Sequence, residues 1–407
     1  MNRLKILVVG GGPAGFFAAI AAAQRYPEHE VTLIEKNRQL LSKVRISGGG
    51  RCNVTHACFD PTILVSAYPR GSKELKGPFS LFHTKDTIKW FEEKGVKLKT
   101  EEDGRMFPIT DCSETIIQCL QAQAAFYQVK VKTEAAVSQV TFCDKKFAVE
   151  LSNQQQLKVD RLLFATGSHP KSYQLIESLG HSVVPLVPSL FTFNIPSSPL
   201  RHLAGVSCLN VKAQLPALSL EQVGSLLITH WGLSGPAILK LSALAARKMH
   251  AVNYQTSLRL DWLPQETSEQ VREKIIKAKE KLKHKQVATE SLFTSLCRQL
   301  WKQLVEEAKI PTSLRWGHLS NYQLKQLLDQ LKKMELQIEG KTTYKQEFVT
   351  AGGIHLKEIN FKKMESKLVP GLFFAGEVLN IDGITGGFNF QNCWTTGWIA
   401  GQAIGET

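Results

Sequence analysis

The chain has 407 residues, 43% of them hydrophobic and 21% charged, with 50 Lys and Arg against 36 Asp and Glu for a formal charge of +14. That length buries a large core in two or three domains, and the composition excludes an intrinsically disordered chain and a bundle of membrane spans. Eight scattered cysteines with no Cys-x-x-Cys exclude a zinc ribbon and a disulfide framework, and they point to a reducing, cytoplasmic setting.

The first segment organises the rest. Leu4–Val9 is an apolar run expected as a strand buried on both faces, and Phe16–Gln24 is alanine-rich and helical by propensity. Between them lies Gly10-Gly-Gly-Pro-Ala-Gly15. Gly10 permits the tight turn, Gly12 lets the main chain approach a pyrophosphate, and Gly15 lets the helix sit close on the strand. The helix starts at Pro13, whose ring presets the first turn, and the exposed N–H groups from Ala14 onward face the phosphates. Val31–Ile34 is a second strand, and Glu35 at its end, followed by Lys36, is spaced to accept from a ribose hydroxyl. A signal peptide is the alternative for this region, but three glycines and a proline would break its apolar helix. The acid favours FAD or NAD over NADP.

Ser47-Gly-Gly-Gly-Arg-Cys-Asn53 is too glycine-rich for helix or strand and is expected as a ligand-binding loop. Lys43, Arg45, Gly50 and Arg51 accompany it, and Cys52 is either a redox thiol or a packing residue near the cofactor. A helix over 85–94, a strand over 96–100, a turn at Asp103–Pro108 carrying Arg105, and a helix from an N-cap at Ser113 to Phe126 follow. Residues 129–159 are expected as a strand and β-meander, with the backbone around Ala136 and Val137 beside an adenine. Asp160–Gly167 is a strand ending in Ala-Thr-Gly, so Thr166 and Gly167 border a cofactor.

The prolines between 185 and 199 mark a domain boundary. Residues 200–260 are strand-rich up to Thr229-His-Trp-Gly-Leu-Ser-Gly-Pro236, where a helix begins and runs to about Met249. His230 there is either structural or a contact for substrate or flavin. Residues 264–334 are helical and lysine-rich. Gly371–Glu377 is another buried strand, and Gly386 and Gly387 precede a helix expected over 392–404, forming a second anion site with Phe388. Asn389 and Gln391 suit the pyrimidine edge of a flavin.

Taken together, GGGPAG with Glu35, SGGGRCN, DGRMFP, ATG, THWGLSGP, TAGGI, AGE and GGFNFQ occur in order across nearly the whole chain. In them the sequence resembles the bacterial FAD-dependent oxidoreductase family of the aminoacetone-oxidase-like or BaiN-like flavoproteins. The resemblance implies an α/β fold: a glutathione-reductase-type FAD-binding Rossmann domain (1–190 and 346–407), an inserted β-rich domain (191–263 with 335–345) and a small helical domain (264–334). It implies extended FAD, with the ADP half on Gly10, Gly12, Gly15 and Glu35, and the pyrophosphate, ribityl and flavin end on Gly376, Glu377, Gly386, Gly387 and Asn389.

The expected chemistry is hydride transfer through flavin N5 on a small organic substrate, with NAD(P)H as a candidate transient donor. His230, Arg51, Cys52 and Arg105 are the candidates near the ring. Two rivals stand beside it: an FAD-dependent RNA-modifying protein, motivated by the basic charge but lacking an aromatic-basic platform, and a non-catalytic redox sensor.

Overall fold

The computed structural model describes residues 3–342 and 349–406. The chain divides into two units, Met1–Val187 with Lys345–Thr407, and Pro188–Tyr344. The expected break at 345/346 lies outside the described residues.

The first unit is built on a seven-stranded sheet. Its parallel heart runs Leu372–Phe374, Arg161–Phe164, Lys5–Val9, Glu30–Ile34, Lys130–Lys132. Register pairs Val9 with Phe164 and Ile34, so the strands stop on a common edge. The central strands are covered on both faces, which is why they read as unbroken apolar runs. Helix Pro13–Arg25 lies against the last helix, Phe388–Ala403. Phe17 packs there at 5.2 Å from Trp394 and 4.6 Å from Trp90, centroid to centroid. Each such buried ring contributes roughly 1.5–3 kcal/mol. A three-stranded meander, Val137–Cys143, Lys146–Leu151 and Gln156–Val159, branches off before Arg161.

Local details depart from expectation. Residues Asp103–Pro108 are partly strand, with Arg105–Pro108 paired to Leu98–Thr100. The helix at Ser113–Phe126 takes Cys112 as N-cap, and the Ser113 hydroxyl donates to the Arg45 carbonyl at 2.8 Å. The last helix begins at Phe388, four residues ahead of expectation, because Gly387 in the left-handed region (φ 90°) completes the turn.

The second unit is a closed six-stranded barrel of Thr192–Asn194, Gly232–Ser234, Leu220–Ile228, Ser207–Leu215, Gln255–Asp261 and Met334–Thr342. Helix Pro236–Ala251 begins at Gly235 with Pro236 at its first position. Helices Ser268–Lys281, Arg298–Glu307 and Asn321–Lys333 share one hydrophobic core with the barrel, including Trp262, Trp301 and Trp316. Residues 264–334 therefore do not build a core of their own. No helix of the described residues is long and apolar enough to cross a membrane.

Candidate active site

The glycine turn leaves the first strand where its neighbours also end. Gly10 donates to the Ile34 carbonyl at 2.8 Å. Its φ is 116°, and a Cβ there would stand 2.4 Å from the Ala165 carbonyl oxygen, so only glycine fits. Gly12 differs: nothing lies within 4 Å of where its Cβ would be, which is the open side of the turn. The helix starting at Pro13 has no side-chain cap and no acid in its first turn. Its first N–H groups and dipole are thus presented to that space.

Glu35 is half-buried at the end of its strand, where one carboxylate oxygen accepts from Gly11 N–H at 2.8 Å and the other from Asn37 N–H at 2.9 Å. A carboxylate retains further acceptor sites, so a ribose hydroxyl can be added without displacing either bond. Ala135 N–H donates to the Glu35 carbonyl at 2.9 Å, which brings Ala136 and Val137 beside it. Lys36 is exposed next door.

A second open helix end lies at the same end of this unit. The last helix has no side-chain cap and no acid in its first turn. Added Cβ atoms on Gly397 and Gly401 would stand 2.6 Å from the Ala14 carbonyl and 2.5 Å from the Ala18 carbonyl. Ascending numbers meet ascending numbers, so the two helices are parallel and their positive ends point the same way. Gly376 closes the arrangement: its Cβ would meet Ala14 at 2.8 Å and the Cys393 sulfur at 3.3 Å.

Glu377 follows, ion-paired to Lys43, and its carboxylate lies 3.7 Å from where a Cβ on Gly167 would sit. Burial works against charge on Lys43, but Glu377 more than offsets it and holds the ammonium above its ordinary pKa. The Thr166 hydroxyl beside them is buried and has no hydrogen-bond partner among the described residues. Two uncapped helix ends, an open side at Gly12 and an unpaired hydroxyl between them fit a long ligand with two phosphates and polar groups, as FAD is.

The residues expected near the ring fare differently. Arg51 is paired to Glu101 at 2.6 Å and Asp111 at 3.5 Å, and its guanidinium lies over Phe107 at 3.9 Å. Arg105 pairs with Asp103 at 2.7 Å and Glu101 at 2.9 Å. Both arginines already answer nearby carboxylates. Cys52 is fully buried, and desolvation pushes its thiol up to about 12. It is a packed, protonated group, which suits the packing alternative for Cys52 over the redox thiol.

Gly50 (φ 85°) ends the left-handed run Gly48–Gly50, with open space around its Cβ position. His230 belongs to the second unit, where it is exposed with Trp231 at the tip of the hairpin closed by Thr229 and Gly232.

At the last helix, Gln391 is fully buried and bonds Thr55 at 2.6 Å, Thr87 at 3.0 Å and Thr395 at 3.0 Å. Asn389 bridges Gly383, accepting from its N–H at 2.8 Å and donating to its carbonyl at 3.0 Å. Gln391 is occupied by these threonines, which corrects its expected use on a flavin edge, and Asn389 holds the loop before the helix. Phe388 stacks on His56 with centroids 4.7 Å apart.

Two anchors have no local signal. Asp382, fully buried, is clamped by the Arg70 guanidinium through both carboxylate oxygens. Asn53, in the amide orientation that satisfies its neighbours, accepts from Gly387 N–H at 2.9 Å and donates to Thr55 O at 3.0 Å. The bond to Gly387 joins the SGGGRCN loop to the GGFNFQ turn.

Residues 4–403 match the HI0933-like protein Rossmann domain. The chain is 28% identical, over the full length of both, to the 3-dehydro-bile acid delta(4,6)-reductase of Clostridium scindens. It is 31% identical to the ribosomal RNA dihydrouridine synthase of Haemophilus influenzae, over 98% of each chain. Among solved structures, 3-ketosteroid-delta4-(5alpha)-dehydrogenase from Rhodococcus jostii RHA1 matches 100% of this chain and 97% of its own at 13% identity and a TM-score of 0.53, a likeness of fold. The chain belongs to the HI0933-like Rossmann family and is an FAD-dependent oxidoreductase.

Proposed function

We propose that this flavoenzyme saturates a carbon–carbon double bond conjugated to a carbonyl, and that its substrate is a uracil ring within RNA. The reading is supported by what two full-length relatives are named for. One is a delta(4,6)-reductase of a 3-dehydro bile acid, and the other makes dihydrouridine in ribosomal RNA. Both names describe one step, the addition of two hydrogens across a double bond that a neighbouring carbonyl makes electrophilic.

The observation that carries RNA over a small enone is the distribution of charge. Residues 188–344 hold 21 Lys and Arg against 12 Asp and Glu, so nine of the fourteen excess positive charges lie in the second unit. A polyanion is the partner such a bias suits.

Bound FAD supplies the hydride, and NAD(P)H is its source in this reading. The chain's own residues bind and orient. The N–H groups after Gly12 hold the pyrophosphate, those after Gly387 face the flavin end, Glu35 takes the adenosine ribose, and Thr166 donates to the polar face of the ligand. The Lys43–Glu377 pair fixes the segment after Gly376 against the first helix.

The test is anaerobic. Flavin-loaded protein is reduced with NADPH or NADH and offered unmodified ribosomal RNA or a 3-keto-Δ4,6 steroid. Reoxidation by RNA, with dihydrouridine found after nuclease digestion and mass spectrometry, is the expected result. Reoxidation by the steroid alone returns the reading to small enones, and reoxidation by neither favours the redox-sensor rival.

A further inference from the structure

The second unit assembles one exposed basic ridge from two segments of chain. Helix Ser268–Lys281 runs out into a loop carrying Lys281, Lys283, His284 and Lys285, all exposed. Gly317 N–H donates to the Lys283 carbonyl at 3.1 Å, Trp316 N–H to Lys285 at 3.0 Å, and Val287 N–H to Leu314 at 2.9 Å. These bonds lay the loop along residues 314–317 and bring exposed Arg315 and His318 beside it.

The ridge rests on rigid core. The Trp301 indole N–H donates to the Val287 carbonyl at 2.8 Å, and Trp301 stacks with Trp316, centroids 6.4 Å apart.

Some cations of the unit are matched with acids and others, such as Lys309 and Lys325, make no ion pair among the described residues; on the ridge the backbone bonds above draw unmatched cations together. Lys274 meets Glu266 at 2.6 Å, Arg259 meets Glu335 at 2.9 Å and Arg272 meets Glu269 at 3.1 Å. On the ridge only Lys285 has an acid, Glu290 at 3.6 Å, and Lys281, Lys283 and Arg315 make no ion pair among the described residues. Exposed like charges repel, so a cluster left uncompensated weakens the fold slightly unless something anionic covers it. None of the large exposed apolar side chains falls in 279–290 or 314–318, so nothing there would insert into a lipid surface. A ridge of spaced cations without apolar anchors suits the backbone of a nucleic acid.

We propose that Lys281, Lys283, Lys285 and Arg315 form a docking ridge for RNA phosphates, separate from the residues that hold FAD. The inference rests on the RNA reading above and names the surface that reading needs. As with any phosphate contact, the ridge contributes affinity and salt dependence without reading bases.

The test uses full-length, FAD-loaded protein and a fluorescent, unmodified ribosomal RNA fragment, with anisotropy followed across a salt series. The K281Q/K283Q/K285Q/R315Q variant is compared with the wild type after its thermal midpoint has been matched. The variant is expected to bind more weakly, with a slope of log K against log salt shallower by about 3, at roughly 0.7–0.9 for each phosphate no longer neutralised. An unaltered slope, or no RNA binding by the wild type, overturns the ridge. So does variant-sensitive binding to phosphatidylserine vesicles without binding to RNA. The two readings fail separately. RNA bound through the ridge without dihydrouridine defeats the substrate assignment alone, and dihydrouridine made with an unaltered slope defeats the ridge alone.

Discussion

Gly397 in the last helix rests on the main chain of Ala14 in the first, so closely that a Cβ would stand 2.6 Å from the Ala14 carbonyl oxygen. That contact sets the spacing of two parallel helices whose open ends face the proposed phosphate site. Replacing Gly397 with Val forces the helices apart. The expected cost is about 1–3 kcal/mol, as for other overpacked cores. Differential scanning fluorimetry should record a lower thermal midpoint, and purified protein should retain less flavin. A variant with wild-type midpoint and flavin content would show that the spacing is not critical.

Glu35 carries a second prediction. Its carboxylate already accepts from Gly11 and Asn37, so it is oriented before any ligand arrives. Glu35→Gln keeps the shape but turns half of the group into a donor. Losing one charge-assisted bond costs roughly 1.5–3 kcal/mol, which is about tenfold or more in FAD affinity. Fluorescence titration of the flavin-stripped variant checks this, and equal affinity would remove Glu35 from the site.

Thiol reactivity separates Cys52 from the exposed cysteines of the chain. With its thiol near 12 and no exposure, Cys52 should resist iodoacetamide at neutral pH. Exposed Cys112, Cys143 and Cys297 should alkylate first. Peptide mass spectrometry decides it, and early labelling of Cys52 would restore it as a reactive group.

Much of this arrangement was legible in the sequence, and the reason is locality. The turn at Gly10–Gly15, the stop at Ala165–Gly167 and the paired glycines at 386–387 each state a backbone requirement in adjacent residues. Arg51 could not be read in that way, because its acids, Glu101 and Asp111, are distant in sequence and meet it only in the folded chain. Gln391 reads as a ligand from sequence since polar residues at a helix start usually face outward. Only the packed structure puts it among Thr55, Thr87 and Thr395. The joining of 264–334 to the barrel core likewise depends on contacts that helix periodicity does not reveal.

His181 offers a constellation with a misleading likeness to a hydrolase triad. Its Nδ1 lies 2.8 Å from Glu358 and its Nε2 2.8 Å from the Ser366 hydroxyl. Ser366 Oγ, however, also accepts from Leu368 N–H at 3.0 Å and Val369 N–H at 2.9 Å, so its lone pairs are occupied and it is no nucleophile. Ser366 then donates to Nε2, and Nδ1–H donates to Glu358. Burial, partly opposed by Glu358, lowers the His181 pKa from the ordinary 6.5. The unfolded chain therefore takes up the proton first, and stability from this group is full above about pH 6.5 and falls as the pH drops below it. Chemical denaturation at several pH values should show that slope, with His181→Asn flattening it. An identical slope in the variant would assign acid sensitivity elsewhere.

The central claim, that the open end of the first helix holds the FAD pyrophosphate, is tested most directly at Gly12. Its φ of −91° and ψ of −174° suit any residue, and an added Cβ meets nothing within 4 Å. Gly12→Asp therefore adds a charge without straining the fold. Calorimetric titration of FAD into flavin-stripped protein should give one site in the wild type and a Kd at least about tenfold weaker in the variant, equivalent to about 1.4 kcal/mol, at a thermal midpoint no lower than the wild type's, since Asp at this N-cap position favours the helix. An unchanged Kd in Gly12→Asp would contradict the account.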